Sequence, residues 1–191
     1  MKLLYDFLEM LRAVRADLKE YFLKDPSARS ETHVAFTSIG FHALLFYRIS
    51  HFFWCHRMKW LAEFIHYAAR ILFSVDIHPA AKIEPGVVID HGIGTVIGST
   101  TSIGSGTLIY HGVTLGTRKL VEGKRHPDVG RNVVIGAGAK ILGPLVIGDN
   151  AKIGANSVVL EHVQPNTTVV GIPARPVSKF CKCEVQEDEI A

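Results

Sequence analysis

The sequence lacks any run of about 20 uncharged apolar residues, which leaves no candidate for a membrane-spanning helix. Its most apolar stretch, Phe36 to Val75, is interrupted by His42, Arg48, His51, Arg57, Lys59 and His66. Cysteine is scarce: Cys55, Cys181 and Cys183 among 191 residues do not make a disulfide framework. The opening Met1-Lys2-Leu3-Leu4-Tyr5-Asp6 has no signal-peptide layout, so a soluble protein of the reducing cytoplasm is expected. A strong charge of one sign is missing too. A formal +3 is far from the basic stripe of a nucleic-acid binder, although it suits a substrate carrying several phosphates. With 48% apolar and 20% charged residues, the composition is that of an ordinary globular chain.

What is present is a period of six. Ile77, Ile83 and Ile89, then Ile97, Ile103, Ile109 and Leu115, then Ile135, Ile141, Ile147, Ile153 and Val159 recur at that spacing. A strand alternates with period two, so an aliphatic residue at every sixth position requires a short strand, a corner and another strand. Three such sides close a triangular coil whose aliphatic residues stack inward. Gly98, Gly104, Gly136, Gly148 and Gly154, each following an aliphatic residue, relieve crowding at the corners. The reading is a mainly β protein, a left-handed parallel β-helix over residues 75–178. Two extra residues enter between Ile89 and Ile97. A longer interruption after Leu115 is expected to loop out as an excursion over 117–131, and a loop on a rigid solenoid is where function tends to sit.

Residues 1–74 show helical spacing instead, with Leu3, Leu4, Phe7, Leu8 and Leu11 on one stripe. An N-terminal α-helical domain therefore precedes the coil. Asp25-Pro26-Ser27-Ala28 reads as a break with proline at a helix start, and Phe41 to Tyr47 and Phe52 to Phe73 read as aromatic-rich helices. These apolar helices are expected to pack on one another, on the end of the coil and on a second subunit. Residues 179–191 form an acidic tail expected to be flexible, and its Cys181 and Cys183 read as exposed thiols.

Histidines and carboxylates concentrate at the start of the coil and in the excursion: Asp76, His78, Asp90, His91, His111, Arg125 and His126. Asp76 and His91 lie fifteen apart on a coil of roughly 18 residues per turn, so they can meet on neighbouring layers or across a subunit boundary. A carboxylate on one imidazole nitrogen raises the basicity of the other, which then takes a proton from a hydroxyl. The bland alternative is that these histidines are partly exposed or satisfied within an interface. Asp25, before Pro26, reads on its own as a helix-boundary residue. Arg118, Lys119 and Lys124 either attract phosphates or form a solvated loop face.

Val75-Asp76-Ile77-His78-Pro79-Ala80-Ala81-Lys82-Ile83, Ile89-Asp90-His91, Gly112-Val113-Thr114-Leu115-Gly116, Arg125-His126-Pro127, Ile135-Gly136-Ala137-Gly138-Ala139 and Gly171-Ile172-Pro173-Ala174 together resemble the bacterial serine O-acetyltransferases. The resemblance extends upstream through Tyr47-Arg48-Ile49-Ser50-His51 and Gly40-Phe41-His42-Ala43-Leu44 to Asp25-Pro26 and covers about residues 25–178. It implies acetyl transfer from acetyl-CoA, as co-substrate, to the hydroxyl of L-serine, giving O-acetylserine for cysteine synthesis. It implies His91 as the base and Asp76 as its orienting partner, with no metal. It also implies that Arg125 and His126 meet the serine carboxylate, that Asp25 and Asp90 take the ammonium, and that CoA runs near Gly116, Ala137, Lys152 and Ala155. The assembly it implies is a homotrimer or a dimer of trimers.

Thr117 stands where the family usually has a second glycine after Thr-Leu-Gly. In many members a C-terminal isoleucine carboxylate enters cysteine synthase. Here the sequence closes Glu189-Ile190-Ala191, so that complex is not expected in its usual form. The nearest rival is a hexapeptide acetyltransferase acting on a sugar or another hydroxy amino acid. A zinc enzyme of carbonic-anhydrase type would recruit His91, His111 and His126. A non-catalytic scaffold would need neither Asp76 nor His91.

Overall fold

A computed structural model describes residues 1–119 and 121–177. Four helices come first: α1 (Lys2–Lys24), α2 (Glu31–Thr37), α3 (Ile39–Cys55) and α4 (Lys59–Phe73). The coil follows. Its first turn is β1 (Asp76–Ile77), β2 (Lys82–Ile83) and β3 (Val88–Ile89), and its second is β4 (Val96–Ile97), β5 (Ser102–Ile103) and β6 (Leu108–Ile109). The third is β7 (Thr114–Gly116), β8 (Asp128–Val129) and β9 (Val134–Ile135), and the fourth is β10 (Lys140–Leu142), β11 (Val146–Ile147) and β12 (Lys152–Ile153). β13 (Val158–Val159) opens a fifth turn that continues through a bridge from Val163 to Ile147 and closes with β14 (Thr168–Gly171). β15 (Ala174–Pro176) then folds back antiparallel on β14.

Successive strands fall on three different sheets, and each strand from β1 to β10 pairs in parallel with the strand three further on. The result is a three-sided prism, and the residues of the six-fold series explain it. Ile89, Ile109, Leu115, Ile135, Ile141 and Ile147 are fully buried along its axis. Where the repeat is unbroken the register advances 18 residues per turn, from Val96 to Thr114 and from Lys140 to Val158. The two-residue insertion lengthens the turn from Asp76 to Val96, and the excursion lengthens that from Thr114 to Lys140.

The excursion is shorter than the sequence reading of 117–131. Asp128 and Val129 already belong to β8, and Val129 is buried six positions before Ile135, so the coil resumes there. Three helix boundaries also differ from expectation, and one is that the helix read over Phe52 to Phe73 is broken at His56–Met58, between α3 and α4. Pro26 lies in the turn after α1, with Asp25 as the C-cap, and does not start a helix. α3 runs without a break through Arg48 and Ser50, because both polar side chains are buried with partners: Arg48 on Asp17, and Ser50 donating to the Ala62 carbonyl at 2.7 Å. The flexible tail expected over 179–191, with Cys181 and Cys183, lies outside the described residues.

The helices close the open end of the coil with hydrogen bonds as well as apolar contact. The first turn has no strand below it, so its backbone groups need other partners. The Tyr21 hydroxyl accepts from the Ile89 N–H at 2.8 Å and donates to the Ile89 carbonyl at 3.0 Å. The Tyr47 hydroxyl donates to the Ala81 carbonyl at 2.7 Å and accepts from the Ile83 N–H at 3.2 Å. Arg48 donates to the Ile83 and Glu84 carbonyls, and Asp17 accepts from the Gly86 N–H at 2.8 Å. The buried pair is closed by Arg48 Nε donating to Asp17 at 2.9 Å. Gly40 permits this docking, since a Cβ there would sit 1.8 Å from the Ile89 carbonyl oxygen. Among the described residues no helix is long and apolar enough to cross a membrane.

Candidate active site

The prism brings the candidate residues to two of its edges. The first edge is the corner between the third and first sheets. Asp90 and His91 follow β3 here, on the two-residue insertion. His91 sits in the left-handed region at φ 58°, which a tight corner demands and which turns its ring outward. Its side chain is 72% exposed, and Nε2 is 3.8 Å from the Asp90 carboxylate. The His111 ring, one turn along the same corner, meets it edge-on at 5.9 Å. Tyr21 holds Ile89, two residues upstream, so the helical region steadies the strand that carries the imidazole.

Further along this edge the corners stack through backbone bonds, from Gly112 N–H to Ile93, Gly138 N–H to His111 and Asn156 N–H to Ala137. Ala137 and Ala155 therefore lie two and three turns from His91. At about 4.8 Å per turn this is a column roughly 10–15 Å long. Asp25 faces the same end. Its carboxylate accepts from the Ser27 hydroxyl at 2.6 Å and the Ser27 N–H at 2.8 Å, and these two bonds hold its pKa below the usual carboxylate value, with His33 and His91 adding to the effect.

The second edge is the corner between the first and second sheets. His126 is buried over Gly98, and its Nδ1 is bonded to Thr100, 2.9 Å from the hydroxyl and 3.2 Å from the N–H. Because a backbone N–H only donates, Nδ1 is the unprotonated nitrogen and Nε2 carries the hydrogen. Burial, then Arg125 and Lys124, push the ring's pKa down, so it is a neutral donor. The Arg125 guanidinium reaches the Ser99 hydroxyl at 3.3 Å and the Val121 carbonyl at 3.4 Å. Gly116 ends β7 on this side of the first sheet, away from Ala137, and Lys152 is exposed at the start of β12 on the third sheet.

Asp76 lies on the first sheet. Within one chain it is not bonded to His91. His66 Nε2 donates to it at 2.7 Å and Arg70 lies at 3.4 Å, both from α4. The His66 bond is the main reason its pKa falls below the usual range, and the nearby Arg70 and His78 charges act in the same direction. His78 is itself lowered, by burial and then by His66. Sequence reasoning missed His66, Arg70, Thr100 and Tyr21. The spacing of His66 and Arg70 puts them on one face of a helix, but only the docking of α4 reveals what that face meets. The three histidines of the zinc alternative are not gathered in one chain: His91 and His111 share the first edge, while His126 belongs to the second.

A three-sided coil built on six-residue repeats places the chain among the hexapeptide-repeat proteins. The family model described as "Bacterial transferase hexapeptide (six repeats)" matches residues 126–161. The serine acetyltransferase of Mycobacterium tuberculosis is 46% identical over 170 residues, covering 89% of this chain and 74% of that protein. The crystal structure of the Neisseria gonorrhoeae enzyme in complex with serine has a TM-score of 0.88 at 43% identity, covering 93% of this chain and 72% of that one. A serine acetyltransferase in complex with CoA superposes with a TM-score of 0.86 at 41% identity, covering 92% and 73%. The chain belongs to the serine acetyltransferase family, a family of acyltransferase enzymes.

Proposed function

We propose that the chain transfers the acetyl group of acetyl-CoA to the hydroxyl of L-serine, at sites shared between two copies on a left-handed β-helix. His91 Nε2 removes the hydroxyl proton as the oxygen attacks the thioester carbonyl. The tetrahedral intermediate collapses, and the same imidazole returns the proton to the departing CoA thiolate. Such base catalysis contributes on the order of 10² to 10⁴ in rate. Asp25 and Asp90 take the ammonium, while Arg125 and His126 take the carboxylate. CoA lies along the column of Ala137 and Ala155, with Gly116 and Lys152 completing its groove. Residues 1–74 dock the base, 75–178 carry the chemistry, and the reaction is cytoplasmic.

The observation that carries this reading is the division of the site. Asp90, His91, Ala137 and Ala155 stand on one edge of the prism, whereas Arg125, His126 and Gly116 stand on the next, and Asp25 approaches the first edge from the end of α1. A cyclic homotrimer apposes unlike edges of neighbouring copies, so each boundary completes one site and brings Asp76 of one copy to His91 of the next. A dimer of such trimers leaves these boundaries intact.

The test is release of CoA thiol from acetyl-CoA with L-serine, homoserine or a galactoside, using wild type and His91→Ala. Serine-dependent release that falls by 10² to 10⁴ in the variant is expected. Serine that stays inert while another acceptor works would remove the roles of Asp25, Asp90, Arg125 and His126. Subunit sharing is tested by mixing Asp76→Asn and His91→Asn chains, each inactive alone. Random reassembly restores about a quarter of the sites if they are shared, and none if each chain is self-sufficient.

A further inference from the structure

Thr100 is not among the residues assigned to substrate, yet it binds three consecutive residues of the excursion. Its hydroxyl oxygen accepts from the backbone N–H of Arg125 and of His126, both at 3.1 Å. Its carbonyl accepts from Lys124 Nζ at 2.6 Å. With both lone pairs engaged, the hydroxyl proton has one direction left, toward His126 Nδ1 at 2.9 Å, and the Thr100 N–H converges on the same nitrogen at 3.2 Å. A hydroxyl can accept twice and donate once, and here all three capacities are used. The network is closed, and closed networks fix one arrangement of protons.

We infer that Thr100 is a positioning residue that acts through His126: it pins the end of the excursion and directs the imidazole proton to Nε2, making His126 a neutral donor to the substrate carboxylate. The last step rests on the reading of His126 given above, while the tautomer does not. A protonated Nδ1 would point a hydrogen at the Thr100 N–H, so both the other tautomer and the imidazolium are disfavoured. The lowered pKa of the ring agrees with this. The ring lies over Gly98, where any side chain would collide with it, so the glycine is what allows this seat.

The experiment compares wild type, Thr100→Val and Thr100→Ser as full chains selectively labelled with ¹⁵N-histidine. Long-range proton–nitrogen spectra assign the His126 nitrogens, and steady-state kinetics run beside them. The expected result is a single Nε2–H tautomer in wild type and Thr100→Ser. Thr100→Val admits the Nδ1–H form, shifting the tautomer ratio about fivefold, the worth of one neutral hydrogen bond. The serine KM rises about tenfold in the valine variant, with kcat and the acetyl-CoA KM within about threefold, and the serine variant restores it. Unchanged His126 spectra in Thr100→Val overturn the inference. So does equal impairment of both variants, or a loss confined to kcat. His126→Ala separates the underlying reading: an unaltered serine KM there removes the carboxylate role of His126, while the spectra still decide what Thr100 does to the ring.

Discussion

Replacing Gly98 with alanine isolates the seating of His126. The Gly98 backbone is not in the left-handed region, so alanine is conformationally tolerated and the effect is one of contact alone. The added Cβ would stand 2.1 Å from both Cδ2 and Nε2 of the His126 ring and 2.7 Å from Cε1. Carbon atoms rest near 3.5 Å apart, so ring or backbone must withdraw by more than about 1 Å. If the corner yields, the cost is that of overpacking, about 1–3 kcal/mol. At about 2–4 °C per kcal/mol for a chain of this size, Tm falls by roughly 2–12 °C. If the ring yields, it leaves Thr100 and its place at the substrate, and a misplacement of that size costs up to about 10² in rate. The assay is a serine saturation curve and a thermal melt for Gly98→Ala, His126→Ala and the double variant. With the imidazole gone, the alanine has nothing to strike, so its effect should vanish in the double variant. A wild-type KM and Tm in Gly98→Ala, or an undiminished effect in the double variant, refutes the placement.

Arg48→Met leaves Asp17 buried without its cation and the Ile83 and Glu84 carbonyls without their donor, so a loss of about 3–5 kcal/mol is expected in denaturant unfolding. Gly40→Ala drives a Cβ into the Ile89 carbonyl, and α3 must lift from the coil; reduced stability and reduced kcat are expected together, checked by melts and single-turnover rates. His51, His78 and His126 are each held below their ordinary 6.5, chiefly by burial. The unfolded chain then binds more protons than the folded one once pH drops below about 6.5. Stability is therefore full above that value and declines as pH falls through the three lowered pKa values. A Tm that stays level between pH 7 and pH 5 contradicts this.

The six-residue period made the coil legible, because every inward isoleucine reports its own face and no other short period produces that spacing. The return of the chain at Asp128–Val129 is equally present in the sequence, since Val129 stands six before Ile135, and after a four-residue step from Val159 the spacing resumes with Val163 and Val169. These valines stand out less than the isoleucines that dominate the pattern. The helical boundaries were less legible. Arg48 and Ser50 look like solvent-facing breaks until Asp17 and Ala62 are brought to them from distant elements. Likewise, the candidate residues could be named from their motifs, but not their grouping. That Asp76 meets His66 and Arg70 depends on how α4 sits against the first sheet, which has no counterpart in local spacing.

The way the coil is finished at its two ends bears on how large this molecule can become. A parallel solenoid is a template for its own extension, because an uncovered last turn offers another chain a full row of donors and acceptors. Here the first turn offers Tyr21, Tyr47, Arg48 and Asp17 in place of a strand, and at the far end β15 turns back antiparallel across β14. The first turn is thereby covered, and at the far end β15 occupies the open side of β14 on the third sheet. Since Tyr21 also grips the strand leading to His91, the cover of the first turn is tied to the corner that carries the imidazole.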